Sequence, residues 1–241
     1  MKKLNLEKIR ALVFDADDTL WDCQSHFEQV EKQLYGLIAP YCLDPAAELY
    51  RTESSNMEDL GYGCKAFTIS VVETALRVCG PDLTAEQLTS LLEAGKGLLH
   101  LPATPLPGVV ETLDFLNEEL RVKNEELKMV CFTKGELQDQ ENKLRRSGLA
   151  KYFEHVEITS NKTEHEFRQL AEHLGIRPDE MLMVGNSLKS DIAPAVAVGA
   201  LAVHIPFHVT WQLEVHEDFE HENMVKIEQF SQLPEVLGLT I

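Results

Sequence analysis

No stretch of this 241-residue sequence approaches the ~18 consecutive apolar residues that a membrane-crossing helix needs. A membrane partner is therefore not expected. Basic clusters are also missing: 22 Lys and Arg stand against 40 Asp and Glu, and the formal net charge of -18 argues against a nucleic-acid backbone or an anionic bilayer as a standing partner. No C-x-x-C pair occurs. The five cysteines, Cys23, Cys42, Cys64, Cys79 and Cys131, are odd in number and scattered, the usage of reduced thiols in a cytoplasm. Met1-Lys2-Lys3 is a possible start for a signal peptide, but Glu7, Lys8 and Arg10 interrupt it and the apolar run that follows is only a strand long. A cytoplasmic location is expected. Repeats and low-complexity tracts are absent.

What is present is enough apolar material, 44% of the residues, to build a sizeable core. Five short apolar runs read as strands: Arg10 to Asp15, Leu127 to Phe132, His155 to Thr159, Met181 to Gly185, and Leu201 to Ile205. Helical patterns alternate with them: Pro107-Gly108 opens one through Leu120, Leu137 to Ser147 stops at Gly148, and Thr163 to Leu174 stops at Gly175. Such alternation predicts an α/β fold with a doubly wound parallel sheet. Between Leu20 and about Pro102 the pattern is helical only, with apolar residues such as Phe27, Val30, Leu34 and Ile38, then Phe67, Val71 and Ala75, at helical spacing. The expected division is therefore a core of residues 1–20 and 103–241 with a helical insert at 21–102.

The run Ala11-Leu12-Val13-Phe14 ends abruptly in Asp15-Ala16-Asp17-Asp18-Thr19, which places carboxylates at the tip of a buried strand. Open α/β sheets put their chemistry at such strand ends. Acids crowded there repel one another, so the arrangement makes electrostatic sense with a divalent cation or with one acid protonated. Three further segments follow in order: Thr133-Lys134-Gly135 at a strand end, Lys162 at the start of a helix, and Gly185-Asn186-Ser187 followed by Asp191 after another strand. Together these motifs resemble those of the haloacid dehalogenase-like superfamily, phosphatase branch: D-x-D-x-T, a strand-end Thr or Ser, a Lys, and G-D-x-x-x-D. That resemblance implies a Rossmann-like core and makes the helical insert an α-helical cap.

By the same resemblance Asp15 is the nucleophile that forms an aspartyl-phosphate, and Asp17 the acid and then base that serves the leaving group and the water. Asp17 also separates phosphatases from dehalogenases, whose halide needs no proton. Thr133 is expected to bind a phosphoryl oxygen, and Lys162 to offset the charge of Asp15 and the phosphate. Mg²⁺ is the implied cofactor, held among Asp15, Asp17, Asn186 and Asp191, an oxygen-only set that suits a hard cation better than zinc. One departure stands out: the family's acid is replaced by Asn186, so either this amide coordinates directly or Asp191 moves to an inner role. Thr19 is expected to fix the loop through backbone hydrogen bonds, Asp18 and Lys134 to face solvent, and Trp21 to pack or to line the cleft. The carboxyl-terminal histidines, His204, His208, His216 and His221, match no zinc spacing.

The expected function is a Mg²⁺-dependent phosphatase for a small phosphorylated metabolite, since a helical cap over the site excludes large substrates. A phosphomutase and a non-catalytic phosphate-ligand binder that keeps the fold are the alternatives. The sequence leaves the oligomeric state and the substrate's identity open.

Overall fold

The computed structural model describes residues 4–123 and 127–239; Met1, Lys2 and Lys3 lie outside them. Six strands form one parallel sheet: β1 (Ala11–Phe14), β2 (Lys128–Lys134), β3 (His155–Thr159), β4 (Met181–Gly185), β5 (Leu201–His204) and β6 (Met224–Lys226), in the order β3-β2-β1-β4-β5-β6. Five are those expected from the sequence. The sixth, β6, is three residues long at the sheet edge with one buried residue, too little apolar signal to stand out from a loop.

Each of the four residues of β1 is buried, as a central parallel strand covered on both faces requires. Alternation splits them between two apolar layers. Leu12 and Phe14 face the cluster built with Val109, Leu113 and Leu116 of α5 (Val109–Lys123) and with Phe230 and Leu233, whereas Ala11 and Val13 face Phe167, Leu170 and Ala171 of α7 (Glu164–Leu174). Register aligns the strand ends: Phe14 pairs with Cys131 of β2 on one side and with Val184 of β4 on the other. The residues that follow, Asp15, Thr133 and Asn186, therefore emerge side by side. The chain order reverses between β1 and β4, and a crevice opens at the carboxyl edge of such a switch point.

Four helices intervene between β1 and β2 before α5: α1 (Gln24–Ile38), α2 (Pro45–Leu60), α3 (Cys64–Cys79) and α4 (Ala85–Leu98). They pack around a separate apolar cluster that includes Val30, Leu34, Ile38, Leu49, Phe67, Val71 and Leu91. Local signals set their limits. Asp44 accepts from the Ala47 amide ahead of Pro45, and Thr84 with Gln87 forms a capping box on α4. The remaining helices of note are α6 (Leu137–Ser147), α8 (Ala193–Ala197) and α9 (Leu233–Val236). Among the described residues no helix is long and apolar enough to cross a membrane.

Candidate active site

Asp15 follows β1 with 7% of its surface exposed. Its Oδ1 accepts from Lys162 Nζ at 2.5 Å and its Oδ2 from the Thr19 hydroxyl at 2.9 Å. Lys162 stands just before α7, whose start is fixed by a capping box between Thr163 and Glu166. The ammonium is buried and reaches Asp191 Oδ1 as well, at 2.8 Å, while Asp191 Oδ2 accepts the Ser187 amide at 2.9 Å. Burial and the nearby Asp191 push the Asp15 carboxyl up to about 7, against the opposing pull of Lys162. The two carboxylates in turn raise the Lys162 ammonium, so it stays charged despite its burial. Thr133, also buried, occupies the adjoining strand end on β2.

Asp17 belongs to a second network. Lys143 Nζ donates to both of its oxygens, at 2.7 and 2.9 Å, Gln140 Nε2 to Oδ2 at 2.8 Å, and Trp21 Nε1 to Oδ1 at 2.7 Å. Although burial opposes charge, the Lys143 ammonium and these donors hold the Asp17 carboxyl below its ordinary range. Trp21 is buried and packs, the first of the two roles offered for it; it is not among the residues that line the cavity and meets the site through its hydrogen bond to Asp17. Lys143 and Gln140 come from α6, whose sequence Leu-Gln-Asp-Gln-Glu-Asn-Lys-Leu-Arg-Arg-Ser reads as a solvated helix. Four of its residues are nonetheless buried, three of them polar: Asp139, Gln140 and Lys143. The i, i+3 and i, i+4 spacing of those polar residues is the one trace of this face in the sequence.

Three expectations need correction. Asp18 is not a solvated charge: its Oδ1 accepts the amides of Cys23 and Gln24 at 2.8 and 2.9 Å and fixes the entry to α1, with φ of +64°. Thr19 uses its hydroxyl on side chains rather than on the backbone, lying 2.9 Å from Asp15 Oδ2 and 3.1 Å from Asn186 Oδ1. Lys134 turns inward, 2.5 Å from Glu214 Oε1 and 2.7 Å from Ser190 Oγ, with Nζ 3.9 Å from the centroid of the Tyr62 ring. Glu214 also accepts from Ser187 and Ser190, and Lys134 and these hydroxyls hold its carboxyl low despite burial. Sequence reasoning missed Glu214 because it lies in a loop rich in acids.

Asp15 Oδ2 and Asn186 Oδ1 converge on one hydroxyl proton of Thr19, so two oxygens there share a single donor. That oxygen-only, under-donated corner fits Mg²⁺. With an amide in the set, no group of three or more His, Cys, Asp or Glu is arranged to hold a metal among the described residues. The carboxyl-terminal histidines are dispersed over unrelated contacts. His204 Nε2 donates to the Asn186 carbonyl at 3.0 Å, His208 meets Ser25, and His216 and His221 make local loop contacts.

Asp15, Asp17, Thr133, Lys162, Asn186 and Asp191 line one cavity of about 150 Å³, roofed by α1, α2 and α3. This is room for one small molecule.

A family model for haloacid dehalogenase-like hydrolases matches residues 9–199. The chain is 23% identical to the glyceraldehyde 3-phosphate phosphatase of Methanothermobacter thermautotrophicus, over 95% of this chain and 100% of that one. The glyceraldehyde 3-phosphate phosphatase of Methanopyrus kandleri is 26% identical over 82% and 84% of the two chains. Among solved structures, a haloacid dehalogenase-like family hydrolase from Xanthomonas campestris superposes with a TM-score of 0.84 at 25% identity, covering 99% of this chain and 95% of that one.

Proposed function

The chain belongs to the haloacid dehalogenase-like hydrolases, and from that premise we propose that it is a Mg²⁺-dependent phosphatase acting on a small phosphorylated metabolite through an aspartyl-phosphate. One observation carries the reading: the buried Asp15 at the end of β1 is held by Lys162, which Asp191 orients from the far side. The similarity to glyceraldehyde 3-phosphate phosphatases supports a phosphate monoester as substrate.

In this reading Asp15 attacks phosphorus in line, and the alcohol leaves with a proton; water then attacks the acyl phosphate and restores the carboxylate. Lys162 offsets charge on Asp15 and on the phosphoryl oxygens, and the Thr133 hydroxyl donates to one of them. Asp17, held as a carboxylate by Lys143 and Gln140, is ready to accept the proton of the water. To protonate the leaving oxygen Asp17 must first take up a proton, from solvent in the first turnover and from the attacking water thereafter, and loosen its contact with Lys143. Asp15, Asn186 Oδ1 and the main-chain carbonyl of Asp17 would hold Mg²⁺, with Asp191 behind them tied to Lys162 and Ser187. Bound there, the cation would neutralise phosphate charge as a Lewis acid.

The helices between residues 21 and 102 form the cap and residues 1–20 with 103–241 the core, a division supported by their separate apolar clusters. The five unpaired cysteines support a reducing, cytoplasmic setting. Asn186 favours a second reading, a binder of phosphate ligands without turnover. A broad panel of small phosphate monoesters with Mg²⁺ decides between them. Hydrolysis that Asp15→Asn lowers by about a thousandfold or more supports the phosphatase; binding of the esters without hydrolysis by the native chain supports the second reading.

A further inference from the structure

Glu53 lines the same cavity as Asp15 and Lys162, and the chemistry above gives it no task. It sits on α2, in the roof, with 6% of its surface exposed. Its Oε2 accepts from Trp211 Nε1 at 3.3 Å, a contact between the roof and the loop after β5. Its Oε1 is buried with no hydrogen-bond partner among the described residues. A buried carboxylate oxygen left unpaired costs about 1–3 kcal/mol or more, and such groups in native proteins ordinarily have a partner. The charged neighbour that acts on Glu53 is another acid, Glu31, which adds to the cost. The same cavity is also lined by the apolar and aromatic side chains of Phe27, Met57, Tyr62 and Phe67, together with the polar Asn56 and Ser70.

We infer that Glu53 is a specificity-determining residue that accepts a hydrogen bond from a donor on the alcohol portion of the substrate, a hydroxyl or an ammonium group. The inference rests on the phosphatase reading and extends it. Asp15 and Lys162 take the phosphoryl end at the floor of the cavity, and Glu53 in its roof takes the far end. An alkyl ester of the same shape leaves Oε1 unpaired and gains only the apolar wall. A hydroxyl satisfies it, and an ammonium satisfies it while neutralising the charge that Glu31 opposes. Sites built to bind a donor reject the isostere that lacks one far more strongly than apolar pockets separate homologues.

The test uses three esters with equal numbers of non-hydrogen atoms: propyl phosphate, 2-hydroxyethyl phosphate and 2-aminoethyl phosphate. For the native chain with Mg²⁺, kcat/KM is expected to be at least about tenfold higher for one or both donor-bearing esters than for propyl phosphate. The hydroxyl and amine arms then tell which donor is taken. In Glu53→Gln, which keeps the shape and an acceptor oxygen for Trp211 but loses the charge, the amine-to-propyl ratio is expected to fall by at least about tenfold. Equal kcat/KM for the three esters in the native chain overturns the inference while leaving the phosphatase reading intact. Hydrolysis of none of these, nor of any ester in the broad panel, overturns the phosphatase reading and this inference with it. A merely structural Glu53 would change all three esters in proportion, and that outcome also overturns it.

Discussion

Lys143 Nζ lies 2.7 Å from one oxygen of Asp17 and 2.9 Å from the other, deep between α6 and the loop after β1. It also stands 3.5 Å from Asp139 and 3.7 Å from Cys23 Sγ. With 2% of its side chain exposed, this lysine has no access to water as a substitute partner. Removing it leaves Asp17 and Asp139 as uncompensated acids. Lys143→Met is therefore expected to cost about 3–5 kcal/mol of folding stability, read from denaturant midpoints. A loss under about 1 kcal/mol would mean that the carboxylates find other partners.

Asn186 offers a cation an oxygen without charge. Restoring the acid in Asn186→Asp should tighten Mg²⁺ binding by about tenfold or more, near 1.4 kcal/mol, in calorimetric titrations of the unliganded proteins. Thr19 can still donate to the new carboxylate, so the local geometry has no reason to change. Equal affinities in the two proteins would remove Asn186 from the cation site.

Gly185 ends β4 beneath Asp191. A Cβ added there would overlap the Asp191 carboxyl group, so the constraint is space rather than backbone conformation. Gly185→Ala should push Asp191 off the Ser187 amide and away from Lys162, costing about 1–3 kcal/mol in thermal unfolding together with most of the turnover. Native stability and turnover in that variant would show that Asp191 has another position open to it.

The Glu53 carboxyl is pushed up from 4.5 to about 7, chiefly by burial and further by Glu31, while the Trp211 donor acts the other way. The folded state thus holds this proton more tightly than the unfolded chain does. Its contribution to stability is complete below about pH 4.5 and is lost as pH rises through about 7. Relative to Glu53→Gln, the unliganded native protein should lose up to about 3 kcal/mol across that window in denaturant titrations. Parallel stability curves for the two proteins would contradict this.

How much of this was legible in the sequence depends on whether a residue's neighbours announce its burial. β1 and β4 are continuous apolar runs and were readable as buried strands, and the polar residues after them, Asp15 and Asn186, inherit their positions from those runs. Lys162 was readable only through its company of motifs. α6 was readable as a helix but not as part of the site, because its buried face is made of Asp139, Gln140 and Lys143, and pattern reading assigns such residues to solvent. Asp18 and Lys134 read as solvent-facing for the same reason: a charge satisfied by a neighbour's amide or carboxylate looks, one residue at a time, like a charge satisfied by water. Glu53 was hidden twice over, as an acid in a polar helix whose partner Trp211 lies 158 positions away.

The helices over the site have an apolar cluster of their own, distinct from the two that sandwich the sheet. Mutations in that upper cluster, or on the surface it presents to the cavity, leave the packing of β1, β2 and β4 untouched. Selection can therefore act on the two halves at different rates. The lower half is bound by the demands of a single reaction, and the upper half is free to drift toward new preferences, so descendants of this chain could change diet without relearning how to cut.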